Sequence, residues 1–214
     1  MTGDFLKGRL SAQDVLKISD EVHRAEEGTW GEIVPMIVSQ STPGRSAEWT
    51  LTLVLLLLTG PLTLIDPGHW SFWLAEIALV AIAILLPPYV FRAFPSLRRR
   101  LIPREDLRAA VHGRAIVELE NVRLRHTKKR TGVLLMVSWH ERKVVVLGDE
   151  AVAQAVRPDE WEALTAEFAD DLRSGRLPEG FTTAIRKVGQ VLRKHFPCTG
   201  ENADEIKNDL VIKI

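Results

Sequence analysis

Two long apolar runs dominate the hydrophobic pattern of the chain, residues 49–65 and 70–91, separated by Asp66-Pro67-Gly68-His69. The first carries no charge between Glu48 and Asp66, and the second carries one acid, Glu76, about two turns from its start. Runs of this length and apolarity predict a transmembrane hairpin, because a helix needs about 20 apolar residues to cross a hydrocarbon core of roughly 30 Å. Trp49, Trp70, Trp73 and Tyr89 stand at the boundaries, where amphipathic rings favour the headgroup level. Arg92, Arg98, Arg99, Arg100 and Arg104 follow the second run, whereas residues 66–71 hold neither Lys nor Arg. That asymmetry predicts a multi-pass protein of the inner membrane with both termini cytoplasmic. Arg98, Arg99, Arg100, Arg104 and Arg108 are then expected to contact anionic headgroups. Glu76, an acid within the apolar run and just after Trp70 and Trp73, is expected either to reach water at the interface or to make a polar contact with a partner helix.

Outside these runs the pattern alternates between helical and strand periods. Ser11 can cap a helix whose apolar positions are Val15, Ile18, Val22 and Ala25, and Gly28 is placed to end it. Residues 31–38 read as a strand, with Pro35 directing the missing N–H to an edge, a bulge or no partner. After Pro103, the residues Leu107, Val111, Ala115, Leu119 and Val122 make the apolar face of a long helix, and Arg104, Arg108 and His112 line another. Residues 131–138 and 142–148 read as a strand hairpin, the first apolar enough to be covered on both faces. Trp161, Leu164, Phe168 and Leu172 mark one further helix and Phe181, Ile185, Val188, Leu192 and Phe196 another, stopped by Pro197. Leu210-Val211-Ile212 completes the series as a short strand. This order predicts an α/β fold, a single mixed-sheet domain interrupted by two inserted transmembrane helices. Its segments are residues 1–48, the hairpin 49–91, residues 92–197 and a tail 198–214. A right-handed crossover between the strands at 33–38 and 133–137 would make them parallel.

Composition narrows the function classes. The 28 basic and 28 acidic residues cancel, which argues against a nucleic-acid partner. A single cysteine, Cys198, leaves no internal disulfide. The six histidines lack metal-ligand spacing, and neither a phosphate-binding glycine loop nor a nucleophile elbow is present. Asp149 and Glu150, just past a strand end where ligands collect in open α/β sheets, are the catalytic candidates. His140-Glu141, at the hairpin turn, is a second polar pair.

Several stretches together resemble the TPM domain, particularly its bacterial membrane-embedded branch. They are Leu10-Ser11, residues 28–35 (GTWGEIVP), Thr131-Gly132-Val133-Leu134-Leu135, residues 144–148, Gly175-Arg176-Leu177 with Gly180-Phe181, and His195-Phe196-Pro197. The resemblance implies either partner binding beside membrane complexes or, as described for some members, acid phosphatase activity with a divalent metal. Many soluble members carry an acidic or amide pair before the central strand, where this chain has Arg130-Thr131. Carboxylates are the ligands calcium and magnesium require, so the arginine weighs against both metal binding and that hydrolysis. The reading is therefore a non-enzymatic accessory module with a membrane-protein partner and no cofactor. The alternative is a divalent-metal-dependent phosphomonoester hydrolase using Asp149 or Glu150.

Overall fold

The runs Glu32–Val38 and Gly132–Ser138 are buried at every position, as strands covered on both faces must be. They pair in parallel, in register from Glu32 with Gly132 to Val38 with Ser138, as the crossover argument expects. The computed structural model describes residues 6, 8–42, 46–59, 70–93, 103–122, 129–198 and 208–213. In chain order the elements are α1 (Ala12–Glu26), β1 (Glu32–Val38), α2 (Ser46–Thr59), α3 (Trp70–Ala93) and α4 (Arg104–Asn121). Then come β2 (Gly132–Ser138), β3 (Lys143–Gly148), α5 (Glu150–Ala155), α6 (Pro158–Arg173), α7 (Leu177–His195) and β4 (Val211–Lys213).

The strands form one mixed sheet of order β3-β2-β1-β4, with β3 antiparallel to β2 and β4 parallel to β1. Alternate side chains project to opposite faces, so two cores form. On one face Ile33, Ile37, Val133, Leu135 and Val137 meet α1, α6 and α7 through residues such as Ile18, Phe168 and Phe181. On the other, Val34, Met36, Leu134 and Met136 meet Val111, Ala115 and Leu119 of α4.

Pro35 is explained by the order of β1's edge. The Glu32 N–H donates toward β2, to the Thr131 carbonyl, so the odd-numbered amides point the other way. The Ile33 N–H finds the Glu26 carboxylate at 2.6 Å and the Ser39 N–H finds the Lys213 carbonyl at 2.9 Å. Pro35 lies between them, before β4 begins at the level of Met36, where a donor would have no strand to meet. Gly28, with φ of 75°, ends the turn after α1 in the left-handed region that favours glycine.

The chain divides into two compact units, Met1–Ser41 with Arg108–Ile214, and Thr42–Leu107. The second holds α2 and α3, which pack on one another. The inserted transmembrane helices expected from the sequence are not what this unit contains. Among the described residues no helix is long and apolar enough to cross a membrane. Of the first expected span, 49–65, residues 49–59 belong to α2, described from Ser46 to Thr59. Residues 60–65 lie outside the described residues. In α3 the described side chains begin at Leu74, and that stretch includes Glu76, Pro87 and Pro88. The hairpin reading, and with it the multi-pass inner-membrane location and the fold class that included it, gives way to an α/β unit with a four-stranded mixed sheet and an apolar helix pair.

Candidate functional site

At one end of the sheet the ladder sets two acids beside Gly132. Glu32 is its register partner on β1, and on the other side the Asp149 N–H donates to the Gly132 carbonyl at 2.8 Å. Both acids are buried, Glu32 to 2% exposure and Asp149 to 4%. The Asp149 side chain caps α5 by accepting the Glu150 N–H at 2.7 Å through Oδ1. Its Oδ2 is buried and has no hydrogen-bond partner among the described residues. Glu150, by contrast, is exposed and ion-paired with Arg130. Arg130 itself holds φ of 52°, in the left-handed region. Next to it, Thr131 Oγ1 donates to the Trp30 carbonyl at 2.5 Å, and the Lys129 ammonium sits 3.7 Å above the Trp30 ring.

A divalent ion fits this end poorly. Arg130 neutralises Glu150, Asp149 Oδ1 is committed to the helix cap, and a hard cation needs six or more oxygen ligands. Among the described residues no group of three or more His, Cys, Asp or Glu side chains is placed to hold a metal. The sequence-level alternative of metal-assisted hydrolysis through Asp149 or Glu150 thus finds two carboxylates that are neighbours in sequence but differ in environment and in partner.

The opposite end of the sheet carries a polar cluster that the sequence only hinted at. Ser138, fully buried, donates to Glu141 Oε2 at 2.6 Å, and the Ser41 N–H donates to Oε1 at 3.1 Å. The hydroxyls of Ser41 and Ser138 lie 2.7 Å apart, and His140 Nδ1 is 2.5 Å from the Ser39 carbonyl. Glu141 is 4% exposed and accepts from two chain segments, at Ser41 and Ser138, that are 97 residues apart in sequence. Its carboxylate fastens the end of β1 to the β2–β3 turn, so this pair from the turn is a clamp whose serine is shielded from any substrate.

The other residues singled out in the sequence are scattered. Arg98, Arg99 and Arg100 lie outside the described residues, while Arg104 and Arg108 are exposed on α4. Glu76 is half-buried in α3, with its Oε2 lacking a hydrogen-bond partner among the described residues. Sequence reasoning passed over Glu26, Glu32 and Glu118, all buried. Glu118 on α4 lies in an apolar stretch of sequence but receives Arg114 Nε at 2.8 Å and the Lys213 ammonium of β4. Burial disfavours its charge, yet the hydrogen bonds from Lys213 and Asn121 and the charges of Lys213 and Arg114 outweigh that and hold the carboxyl below its ordinary value. The missed signal was a lone acid on an otherwise apolar helix face, which implies a cation supplied by another element.

Comparison with known proteins agrees with this architecture. Residues 103–191 match the family model of the TPM domain, which covers α4 through most of α7 and both strands of the hairpin. The match begins after the two apolar runs and therefore carries nothing about a membrane-embedded branch. No curated protein is similar to the chain. Among solved structures, the NMR structure of the BA42 protein from the psychrophilic bacterium Bizionia argentinensis superposes with a TM-score of 0.60. The two are 20% identical, and the alignment covers 95% of this chain and 94% of that one, which shows a shared fold.

Proposed function

We propose that the protein is a non-enzymatic interaction module in which the α2–α3 pair carries the docking surface and the sheet unit supports it. The observation behind this reading is the exposure of large apolar side chains on both helices. Leu57 is 74% exposed, Leu58 68%, Leu85 66% and Ile77 64%. Apolar patches wider than a few hundred Å² are rare on free-standing surfaces and mark places that something covers. The fitting occupant is a partner protein that presents an apolar helical face, since two helices apolar on several sides offer no row of polar groups for a strand or a nucleic acid. Site-specific photocrosslinkers at Leu57 and Leu85 should give one dominant adduct in the native cell. A crosslinker at Glu162, exposed on α6, should give none of it, and Leu57→Glu should abolish the adduct at Leu85. Adducts spread evenly over all three positions would refute the docking role.

The hydrolase alternative is decided separately. Turnover of p-nitrophenyl phosphate by the full-length protein, with calcium or magnesium added, should stay at background for wild type and Asp149→Asn alike. Metal-dependent turnover that Asp149→Asn removes would replace the interaction reading with a catalytic one.

A further inference from the structure

β3 forms one edge of the sheet, with no strand on its outer side among the described residues. The Asp149 N–H donates to the Gly132 carbonyl, so the odd-numbered residues of β3 bond to β2, and the N–H and C=O groups of Val144, Val146 and Gly148 point away from it. These outward groups have no partner among the described residues. The other edge is blunted, because β4 is a strand of three residues, whereas β3 runs for six without a proline. We propose that the β3 edge pairs with the same edge of a second copy of the chain, antiparallel about a two-fold axis at Val146, so that two four-stranded sheets join into one of eight strands.

The order of charges along the strand names the occupant. Arg142-Lys143 precede the apolar stretch 144–147, and Asp149-Glu150 follow it after Gly148. With Val146 opposite Val146, Lys143 stands against Asp149 of the second copy and Arg142 against Glu150, and the two-fold repeats both pairs at the other end. Glu150 also meets Arg130, in an exposed contact that a second cation can share. The same register sets Val144 against Gly148, so every outward residue of β3 is used. A shift by two residues would instead place Gly148 against the turn at Arg142, or Val144 against α5 at Glu150, and lose a pair. A shift by one would set outward groups against residues that point back to β2. The side chains also have room. Val145 pairs with Leu147 of the second copy on the α4 side, where a cleft of about 380 Å³ lies between Val145 and the α4 residues Arg108 and His112. Val145, Val146 and Leu147 are each only partly buried in the single chain. The contact lies wholly within the sheet unit and is independent of the docking surface on the α2–α3 pair.

The test is sedimentation equilibrium of the full-length protein in a density-matched mild detergent that covers the helix pair. A monomer–dimer equilibrium is expected, with a Kd of about 100 μM or tighter, as one short strand pair allows. Val146→Pro removes a donor that the single chain does not use, and proline is tolerated on the open side of an edge strand, so its circular dichroism should match wild type while dimerisation weakens at least about tenfold. Arg142→Glu and Glu150→Arg should each weaken the dimer about tenfold, since each acts at both ends of the contact, and the two together should restore it. Disulfide formation reads the register. In a Cys198→Ser background Val146→Cys should crosslink to itself, its two Cα atoms standing about 5.5 Å apart. Val145→Cys should not, because its copy stands about 8 Å away, but it should crosslink to Leu147→Cys when the two proteins are mixed. The proposal is overturned if the protein stays monomeric up to about 1 mM, if Val145→Cys and Val146→Cys crosslink alike, or if the dimer persists unchanged in Val146→Pro and in both charge variants. A dimer lost in Leu57→Glu and kept in Val146→Pro would likewise overturn it, by assigning the contact to the helix pair.

Discussion

Single side chains fix much of what this sheet unit can do. Arg142, in the β2–β3 turn, has φ of 50°, where a side chain other than glycine is strained by about 1–2 kcal/mol. Its amide closes the turn onto the Trp139 carbonyl at 3.3 Å, an interaction that any residue supplies. Arg142→Gly should therefore raise the unfolding free energy measured in urea by about 1 kcal/mol after the added freedom of the unfolded chain is subtracted. Glu118 gives the pH dependence. Its folded carboxyl titrates below the ordinary value of 4.5, so its contribution is full above that value and is lost as pH falls through the folded pKa. Asp14 acts in the same direction from its ordinary 3.8, chiefly through its hydrogen bond from the Ser11 hydroxyl in the capping box of α1. Glu118→Gln should lower stability at pH 7 by about 1–2 kcal/mol and flatten the acid limb below pH 4.5. Because the Lys213 ammonium loses its partner, exchange at the Ser39 amide, which β4 protects, should accelerate in the same variant. Unchanged exchange at Ser39 would show that β4 is held by its ladder alone.

At the scale of elements, α1 and α7 approach closely at Gly189. A Cβ placed on Gly189 would lie 2.7 Å from Ala25 Cβ and 2.8 Å from its carbonyl oxygen, so backbone would have to move. Gly189→Ala should destabilise by about 1–3 kcal/mol through overpacking, despite the helix propensity it gains. Gly113, in α4 with open space around its Cα, is the control: Gly113→Ala should stabilise by up to about 1 kcal/mol. Equal shifts in both variants would mean that the α1–α7 contact yields freely. These elements were the legible part of the sequence. The stripes from Val15 to Ala25 and from Phe181 to Leu192, and the buried runs at 32–38 and 132–138, each name their element because burial imposes a period on apolar residues. The parallel pairing of β1 with β2 is the one that a crossover through α4 would give. The polar sites were not legible in the same way. Glu141 is a buried acid that accepts from Ser41, a donor distant along the chain, and no local period encodes such a meeting. Asp149 and Glu150 could be placed at a strand end, but their opposite fates, one buried in a cap and one paired with Arg130, depend on the strand register.

For the molecule as a whole, the apolar runs misled because hydropathy reports what a segment avoids, water, and leaves open what covers it. The same leucines that read as a membrane span along the string stand exposed on a helix pair. The two units offer a direct test of that division of labour. Both cores of the sheet unit are built from its own residues, α1, α6 and α7 on one face and α4 on the other. Replacing residues 46–101 by a Gly/Ser linker of about 12 residues, which reaches up to roughly 40 Å, should leave the cooperative thermal transition of the sheet unit in place. Its Tm should shift by only a few degrees, since a loop of changed length alters closure entropy by well under 1 kcal/mol per doubling. The same variant should lose the partner adduct, because α2 and α3 belong to the replaced unit. Loss of the thermal transition would instead make the helix pair part of the folding unit. An adduct that survives the deletion, captured from a crosslinker moved to α6, would place the docking surface on the sheet unit.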